Sequence, residues 1–334
     1  MVHDSICYGF EHNNLRFGYV GSPGYQEFCV TKSINMKIVL TGSLGHIGLP
    51  LTQLLAQQGH DLTVITSNDD RKDAIKALGA TPAVGSIEDV NFLTRTFTGA
   101  DLVYTMIPPF VSYFDPNVDL FAEVQKVSDN FKQAIKDAGV KRLIHLSSIG
   151  AHLEDGSGLI KLHYIAEQTL NTLTEVDITY MRAVGFYYNL YHYIQLIRQQ
   201  GVIASNTGGN DIATLVAPSD IAAAIADEVT LPASHRKVRY VVSDELTCNE
   251  VARILGEAIG KPDLQWITLT NEQYLQGLLA AGMQPAIAAG MVEMYASVHE
   301  GVLSADYFKN RPAVFGKVKV TDFAKEFATA FAAQ

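Results

Sequence analysis

The stretch KIVLTGSLGHIGLPLTQLLAQQGHDLTVI, residues 37–65, runs a short apolar segment into a glycine-spaced turn, then a helical pattern, then a second β-branched run. KIVLTG reads as a buried strand, IGLPLTQLLAQQG as an amphipathic helix ending at Gly59, and DLTVITS as a second strand. The glycines of TGSLGHIG are Gly42, Gly45 and Gly48, spaced G-x-x-G-x-x-G rather than G-x-G-x-x-G. Gly42 permits a tight turn off the strand, Gly45 lets the backbone approach a pyrophosphate, and Gly48 lets the helix pack close to the sheet. The unpaired N–H groups and positive dipole end of that helix then face the phosphates. Glycines alone are a weak signal, but their place between a strand and a helix, at the head of a β-α repeat, is the context the motif requires. The stretch therefore predicts a dinucleotide-binding unit. Pro50 fits it, since a missing N–H is expendable in a first helical turn.

The alternation continues outward from this stretch. DDRKDAIKALGA, EDVNFLTRTFTG, LFAEVQKVSDNFKQAIKDAG and LIKLHYIAEQTLNTL read as helices, and TPAVGS, DLVYTMIPP, VKRLIHLSS and DITYMRAV as strands between them. Near-continuous Val/Ile/Leu strands separated by amphipathic helices are what a parallel sheet covered on both faces requires. The expected fold is α/β, a doubly wound parallel sheet of the Rossmann type over residues 36–186. After residue 186 the rhythm loosens into aromatic-rich and glycine-rich segments, which predicts a smaller α/β lobe over 187–334, interleaved with the first domain. Residues 1–35 lack sustained periodicity and precede MKIVLTG, so Met36 reads as the natural start of the fold and 1–35 as a poorly ordered extension.

Composition bounds the function. A chain of 334 residues, 48% hydrophobic and 18% charged, can bury a substantial core. Its formal net charge of −10, with no Lys/Arg run, argues against nucleic acid. Cys7, Cys29 and Cys248 lie far apart, which fits a reducing compartment without a metal site. No apolar run reaches the roughly 18 residues that span a bilayer. The expectation is a cytoplasmic protein with a small-molecule substrate and no membrane partner; an oligomer stays open.

The end of the second strand bears on the choice of dinucleotide. An NAD-preferring site usually places Asp or Glu there to accept from the ribose 2′-OH. Here the strand ends ITSNDDRK, so Ser67 and Asn68 can hydrogen-bond a 2′-phosphate while Arg71 and Lys72 neutralise it. Asp69 and Asp70 cut the other way. NADP(H) is the preferred reading and NAD(H) the alternative.

Taken together, TGxxGxxG after the first strand, HLSSIGAH on the fifth, KLHYIAEQTL on the next helix and MRAVGFYYNLY after the sixth resemble the NmrA-like group of atypical short-chain dehydrogenase/reductases. The resemblance covers roughly residues 36–310, and VAPSDIAAAIADEV is similar to a later helix of that group. It implies NADPH-dependent quinone or azo-dye reductases on one hand and dinucleotide-sensing regulators acting through protein partners on the other. It also implies cofactor contacts from the loop residues Ser43, His46 and Ile47, from Ile107 and Pro108 after the fourth strand, and from Gly185.

Typical members of the wider family use a Tyr-x-x-x-Lys pair, in which tyrosine protonates the substrate carbonyl and lysine holds the ribose. Tyr164 is followed four positions later by Gln168, a near miss. Extended members carry a Glu four residues after the lysine. Matching that Glu to Glu167 puts His163 at the lysine position and Leu159 at the tyrosine position. This register places His163 on one helical face with Leu159, Ala166 and Leu170, turned toward the sheet and cofactor, and turns Tyr164 about 100° away. His163 then contacts the nicotinamide ribose, or passes a proton, or is a buried histidine satisfied by the backbone. Ser147 and Ser148 fall at the C-terminal edge of the sheet, where ligands of open α/β folds collect, so Ser147 is a candidate cofactor contact; Ser148 matches the family's catalytic serine and, without the tyrosine, binds substrate or cofactor or simply caps a turn. Phe110, Phe186 and Tyr187 are candidates to stack a flat substrate, against the alternative of packing the lobe interface.

Overall fold

The computed structural model describes residues 35–108, 114, 115 and 117–333. The poorly ordered extension expected over 1–35, all but its last residue, and Phe110 lie outside the described residues. The first half follows the expected alternation: β1 (Lys37–Leu40), α1 (Gly48–Gln57), β2 (Asp61–Thr66), α2 (Lys72–Ala77), β3 (Thr81–Val84), α3 (Val90–Phe97), β4 (Leu102–Met106), α4 (Leu120–Ala138), β5 (Arg142–Ser148), α5 (Lys161–Asn171) and β6 (Asp177–Ala183). Asp89 and Asp119 start α3 and α4 by accepting from backbone N–H groups of the first turn, and Gly139 ends α4 in the left-handed region. The second helix is shorter than its sequence pattern. Asn68 accepts from the Asp70 N–H and closes a 3-10 turn at Asp69–Arg71 before α2 begins.

The later elements are β7 (Gly185–Phe186), α6 (Ile194–Gln200), β8 (Val202–Ser205), β9 (Ile212–Val216), α7 (Pro218–Thr230), β10 (Arg236–Val241), β11 (Asp244–Thr247), α8 (Cys248–Ala258), β12 (Gln265–Thr268), α9 (Asn271–Ala280), α10 (Pro285–His299), α11 (Ala305–Lys309) and α12 (Val320–Ala333). The main sheet has seven parallel strands in the order β3-β2-β1-β4-β5-β6-β10. Strand order reverses between β1 and β4, and ligands of open α/β sheets bind at such a point, beyond the carboxyl ends of the strands. The glycine turn leaves β1 at that end.

Side chains alternate across the sheet, so each face has its own core. Ile38, Leu40, Tyr104 and Ile144 pack with α1 and α7 on one face. Val39, Val103, Leu143 and Tyr180 pack with α3, α4 and α5 on the other. A third core joins Tyr187, Ile197, Val251, Trp266 and Phe327 around α6, α8 and α12. Residues after 186 feed both regions: β10 closes the edge of the main sheet and α7 covers it, while β7, β9 and β11 form a second sheet, and β8 and β12 a third. The described residues all fall within one compact unit.

Candidate functional site

The glycine turn builds an anion cradle from backbone. The Leu49 N–H donates to the Gly45 carbonyl, 3.0 Å, as a bond of the first helical turn. The preceding N–H groups, those of His46, Ile47 and Gly48, belong to the unsatisfied set of a helix start. No acidic residue stands in the first turn of α1, so its positive end is left for a ligand. Gly42 sits at φ +89°, and a Cβ there would meet Met106 Sδ at 2.6 Å. At Gly45 a Cβ would meet only the Gly42 carbonyl at 3.4 Å, so that position is open on its outer side. Gly48 corrects the sequence reading. A Cβ there would fall 2.0 Å from the Ser43 carbonyl, so this glycine lets the helix start close against its own loop rather than against the sheet. Ser43 itself holds φ +53°, the one positive φ outside glycine among the described residues, and such strain collects at ligand sites. The Ile47 side chain is buried in the core, so only its backbone faces a ligand.

The four residues assigned to a 2′-phosphate separate. Arg71 donates from Nη1 to Ser43 Oγ at 3.1 Å, which ties its guanidinium to the glycine loop. Lys72 turns away to pair with Asp69, a correction to its assignment: a neighbouring carboxylate three residues back takes the ammonium first. Asn68 spends its carbonyl oxygen on the Asp70 N–H at 2.9 Å, which leaves its NH2 for a ligand. Ser67 is exposed at the strand tip.

Ser147 and Ser148 point to opposite faces. The Ser147 hydroxyl donates to Glu167 Oε1 at 2.5 Å, inside a network where Arg182 forks onto both Glu167 oxygens at 3.0 and 2.7 Å. Ser147 is therefore corrected from a cofactor side chain to the anchor of a buried ion pair. Ser148, half-buried beside Ala183, remains at the sheet edge. Ile107 and Pro108 follow β4 there too, half-buried, next to Met106, whose N–H donates to Thr41 Oγ1 at 3.2 Å.

Helix α5 turns Ala166 and Leu170 into the core, and the half-buried His163 shares their face with its Nδ1 buried and without a partner. Burial pushes its imidazole down to about 4, so it is neutral at pH 7. Leu159 is not on that helix. It lies in a 3-10 turn before it, where Gly158 and Gly290 allow close approach to α10 and Leu159 packs on Gly290. The Tyr164 phenol meets Glu154, and desolvation and then that carboxylate raise it above its ordinary value.

The aromatic segment after β6 also divides. Tyr187 is corrected from substrate contact to core: it is 1% exposed, stacks on Phe323 at 5.3 Å, and its hydroxyl lies 3.2 Å from both Asp244 Oδ2 and the Val318 carbonyl, which share its one proton. Tyr188, in the same aromatic stretch but not among the substrate candidates, takes the outer position. His46 of the glycine loop stacks on Tyr188 at 5.0 Å, and Tyr188 lies 5.0 Å from Phe186. The three rings join the glycine loop to β7. Gly185 is paired with Leu215, and a Cβ there would meet the Thr214 carbonyl at 3.1 Å, so strand pairing accounts for it.

Residues 42–232 match the model of an NAD(P)H-binding family. The chain belongs to that family. An NAD(P)H azoreductase of Xenophilus azovorans is 27% identical over 300 residues, covering 89% of this chain and 99% of that protein. Among solved structures, Citrobacter sp. triphenylmethane reductase with NADP(H) superposes with a TM-score of 0.69 at 21% identity, covering 87% of this chain and 99% of that one. An NADPH-dependent quinone oxidoreductase of Escherichia coli gives 0.67 at 19% identity, covering 86% and 98%. These fit the NmrA-like resemblance, and the two structures share the fold. The backbone turn at Gly45–Gly48 has room for a pyrophosphate, and the family match begins at Gly42, at the head of that turn. Among the described residues no helix is long and apolar enough to cross a membrane.

Proposed function

We propose that the protein is a cytoplasmic NADPH-dependent reductase of small conjugated acceptors, of the quinone or azo class. The observation that carries this reading is the residue at the family's tyrosine position. In the register that matches Glu167 to the family's Glu that residue is Leu159, which packs on Gly290, while the nearest phenol in sequence, Tyr164, is turned to Glu154. A carbonyl substrate needs an acid at its oxygen during hydride arrival; an acceptor with a delocalised product takes its proton from water. NADPH supplies the hydride when bound. The protein's part is positioning, which by itself contributes a large share of a rate when reacting atoms are held in line.

The N–H groups of His46, Ile47 and Gly48 hold the pyrophosphate, Arg71 with Ser43 and Ser67 the 2′-phosphate, and neutral His163 the nicotinamide ribose. Ser148, Ile107 and Pro108 line the nicotinamide. Phe186 and Tyr188 present ring faces to a flat acceptor. The relatives above carry reductase names, and no observation favours the sensing alternative.

Purified protein with NADPH should oxidise it at 340 nm when a water-soluble benzoquinone or an azo dye is added, and not with an aliphatic ketone. NADPH that binds but is consumed by neither acceptor would return the protein to the regulatory reading.

A further inference from the structure

One ring contact joins the glycine loop to the aromatic segment after β6. The His46 imidazole lies against the Tyr188 ring, with centroids 5.0 Å apart and planes 28° from parallel, and Tyr188 lies 5.0 Å from Phe186 at 30°. The two neighbours of Tyr188 are held differently. Phe186 is set by the fold: its backbone pairs with Val216 in the second sheet, and its side chain packs against the core beneath α1 and α7. His46 is exposed, and it rides on a turn built from Gly42 at φ +89°, Ser43 at φ +53° and the exposed Gly45. Glycine leaves such a turn a wide choice of backbone conformations. Tyr188 itself is half-buried, in the 3-10 turn that follows β7. It therefore has one neighbour fixed by a sheet and one carried by the loop.

We propose that His46 is a positioning residue for the acceptor site: when the dinucleotide settles on the glycine loop, the His46 ring fixes Tyr188, and the loaded protein then binds a flat acceptor more tightly than the free one. This rests on the reading above, in which the His46 N–H meets the pyrophosphate and Phe186 and Tyr188 meet the acceptor. A bond to that N–H restricts the His46 backbone, and the backbone decides where the imidazole stands. The imidazole then confines Tyr188 from the loop side, so part of the ordering that the acceptor would otherwise impose is already done. An aromatic pair of this kind contributes about two- to tenfold in an equilibrium constant, which bounds the gain. Coupling between two sites is reciprocal, so the acceptor tightens the dinucleotide by the same factor. The imidazole acts through Tyr188 and not on the reacting atoms.

Calorimetry with anthraquinone-2-sulfonate, a flat quinone, reads the coupling without turnover when NADP+ is used, since the oxidised dinucleotide has no hydride to give. Wild-type protein saturated with NADP+ should bind this quinone about two- to tenfold more tightly than protein free of NADP+. His46→Ala should bring the ratio to about one, and His46→Phe, which keeps a ring, should restore it. Saturation with NADP+ keeps any change in dinucleotide affinity out of the ratio. Tyr188→Leu removes the other ring of the pair and should also give a ratio of about one; it carries the test if His46→Ala does not fold. A wild-type protein without the gain overturns the proposal, and so does a gain that survives in His46→Ala or in Tyr188→Leu. A second readout needs no acceptor. NADP+ should shift the 13C–1H ring signals of Tyr188, assigned by their loss in Tyr188→Leu, and the shift should shrink in His46→Ala and return in His46→Phe. If the quinone binds neither form while NADP+ moves Tyr188 through His46, the coupling stands and the acceptor class falls. A Tyr188 signal shifted equally in His46→Ala overturns the coupling.

Discussion

Arg71→Ala should collapse the preference for NADPH over NADH, whereas Lys72→Ala should leave it nearly intact. The two cations are adjacent in sequence, and the structure treats them differently. The Arg71 guanidinium is held at the glycine loop through Ser43 Oγ, 3.1 Å away. The Lys72 ammonium is held by Asp69, with side chains 41% and 72% exposed. A charge-assisted hydrogen bond to a phosphate contributes about 1.5–3 kcal/mol, which is about 10- to 150-fold in the ratio of dissociation constants. Because Arg71 is exposed, solvent and salt bring the expectation to the lower end, about tenfold. Lys72 already spends its charge on a pair of the surface kind, where about 0–1 kcal/mol is at stake, so its loss should change the ratio by less than about threefold. Ser43→Ala should fall between the two, since it removes the anchor and leaves the charge. Calorimetric titration with NADPH and NADH at two salt concentrations measures all three variants. An Arg71→Ala protein with an unchanged ratio, or a Lys72→Ala protein that loses it, refutes the division of labour.

Gly45→Asp should fold normally and lose NADPH binding, because its Cβ has room while its carboxylate meets the pyrophosphate; calorimetry with a thermal melt checks both halves. Gly48→Ala should instead unfold the loop, with a loss of about 3 kcal/mol or more, since its Cβ would fall 2.0 Å from a backbone oxygen; urea unfolding reads it. Tyr164→Phe should leave quinone reduction within about twofold, where loss of a general acid costs about 10²-fold or more, and His163→Ala should lower NADPH affinity or turnover about tenfold, one net hydrogen bond. Stability should fall as the pH drops from 6.5 to 5. The unfolded chain protonates both His145 and His163 across that window and the folded one does not, their values being pushed to about 3 and about 4. The loss per histidine is about 2 kcal/mol, and a His163→Gln variant should lose its share of the slope in urea titrations at the two pH values.

The sequence by itself determined what depends on neighbours a few residues apart. Strand and helix periods, the caps at Asp89 and Asp119 and the turn at Gly42 follow from local hydrogen bonding and φ, and they named the doubly wound sheet and its dinucleotide end. Helical phase, also a local quantity, put His163 on the face of Ala166 and Leu170 and Tyr164 off it, although Leu159, read on the same face, lies in the turn before the helix. The fate of each side chain was decided elsewhere. Ser147 and Ser148 read alike, but Ser147 is taken by Glu167, 20 residues on. Tyr187 and Tyr188 read alike, but Tyr187 is claimed by Val318, 131 residues on, and Tyr188 is left to stack on His46. Gly48 is required by a carbonyl of its own loop, which no spacing rule shows. β10 joins the first domain's sheet from far along the chain, because a parallel edge strand is recruited by whichever segment can bury against β6. Thr105 and His145 meet across 40 residues only because β4 and β5 pair in that register. Backbone conformation is written in short-range sterics and hydrogen bonds, whereas the partner of a polar side chain is chosen by packing among residues distant in sequence, and that choice exists only once the sheet has formed.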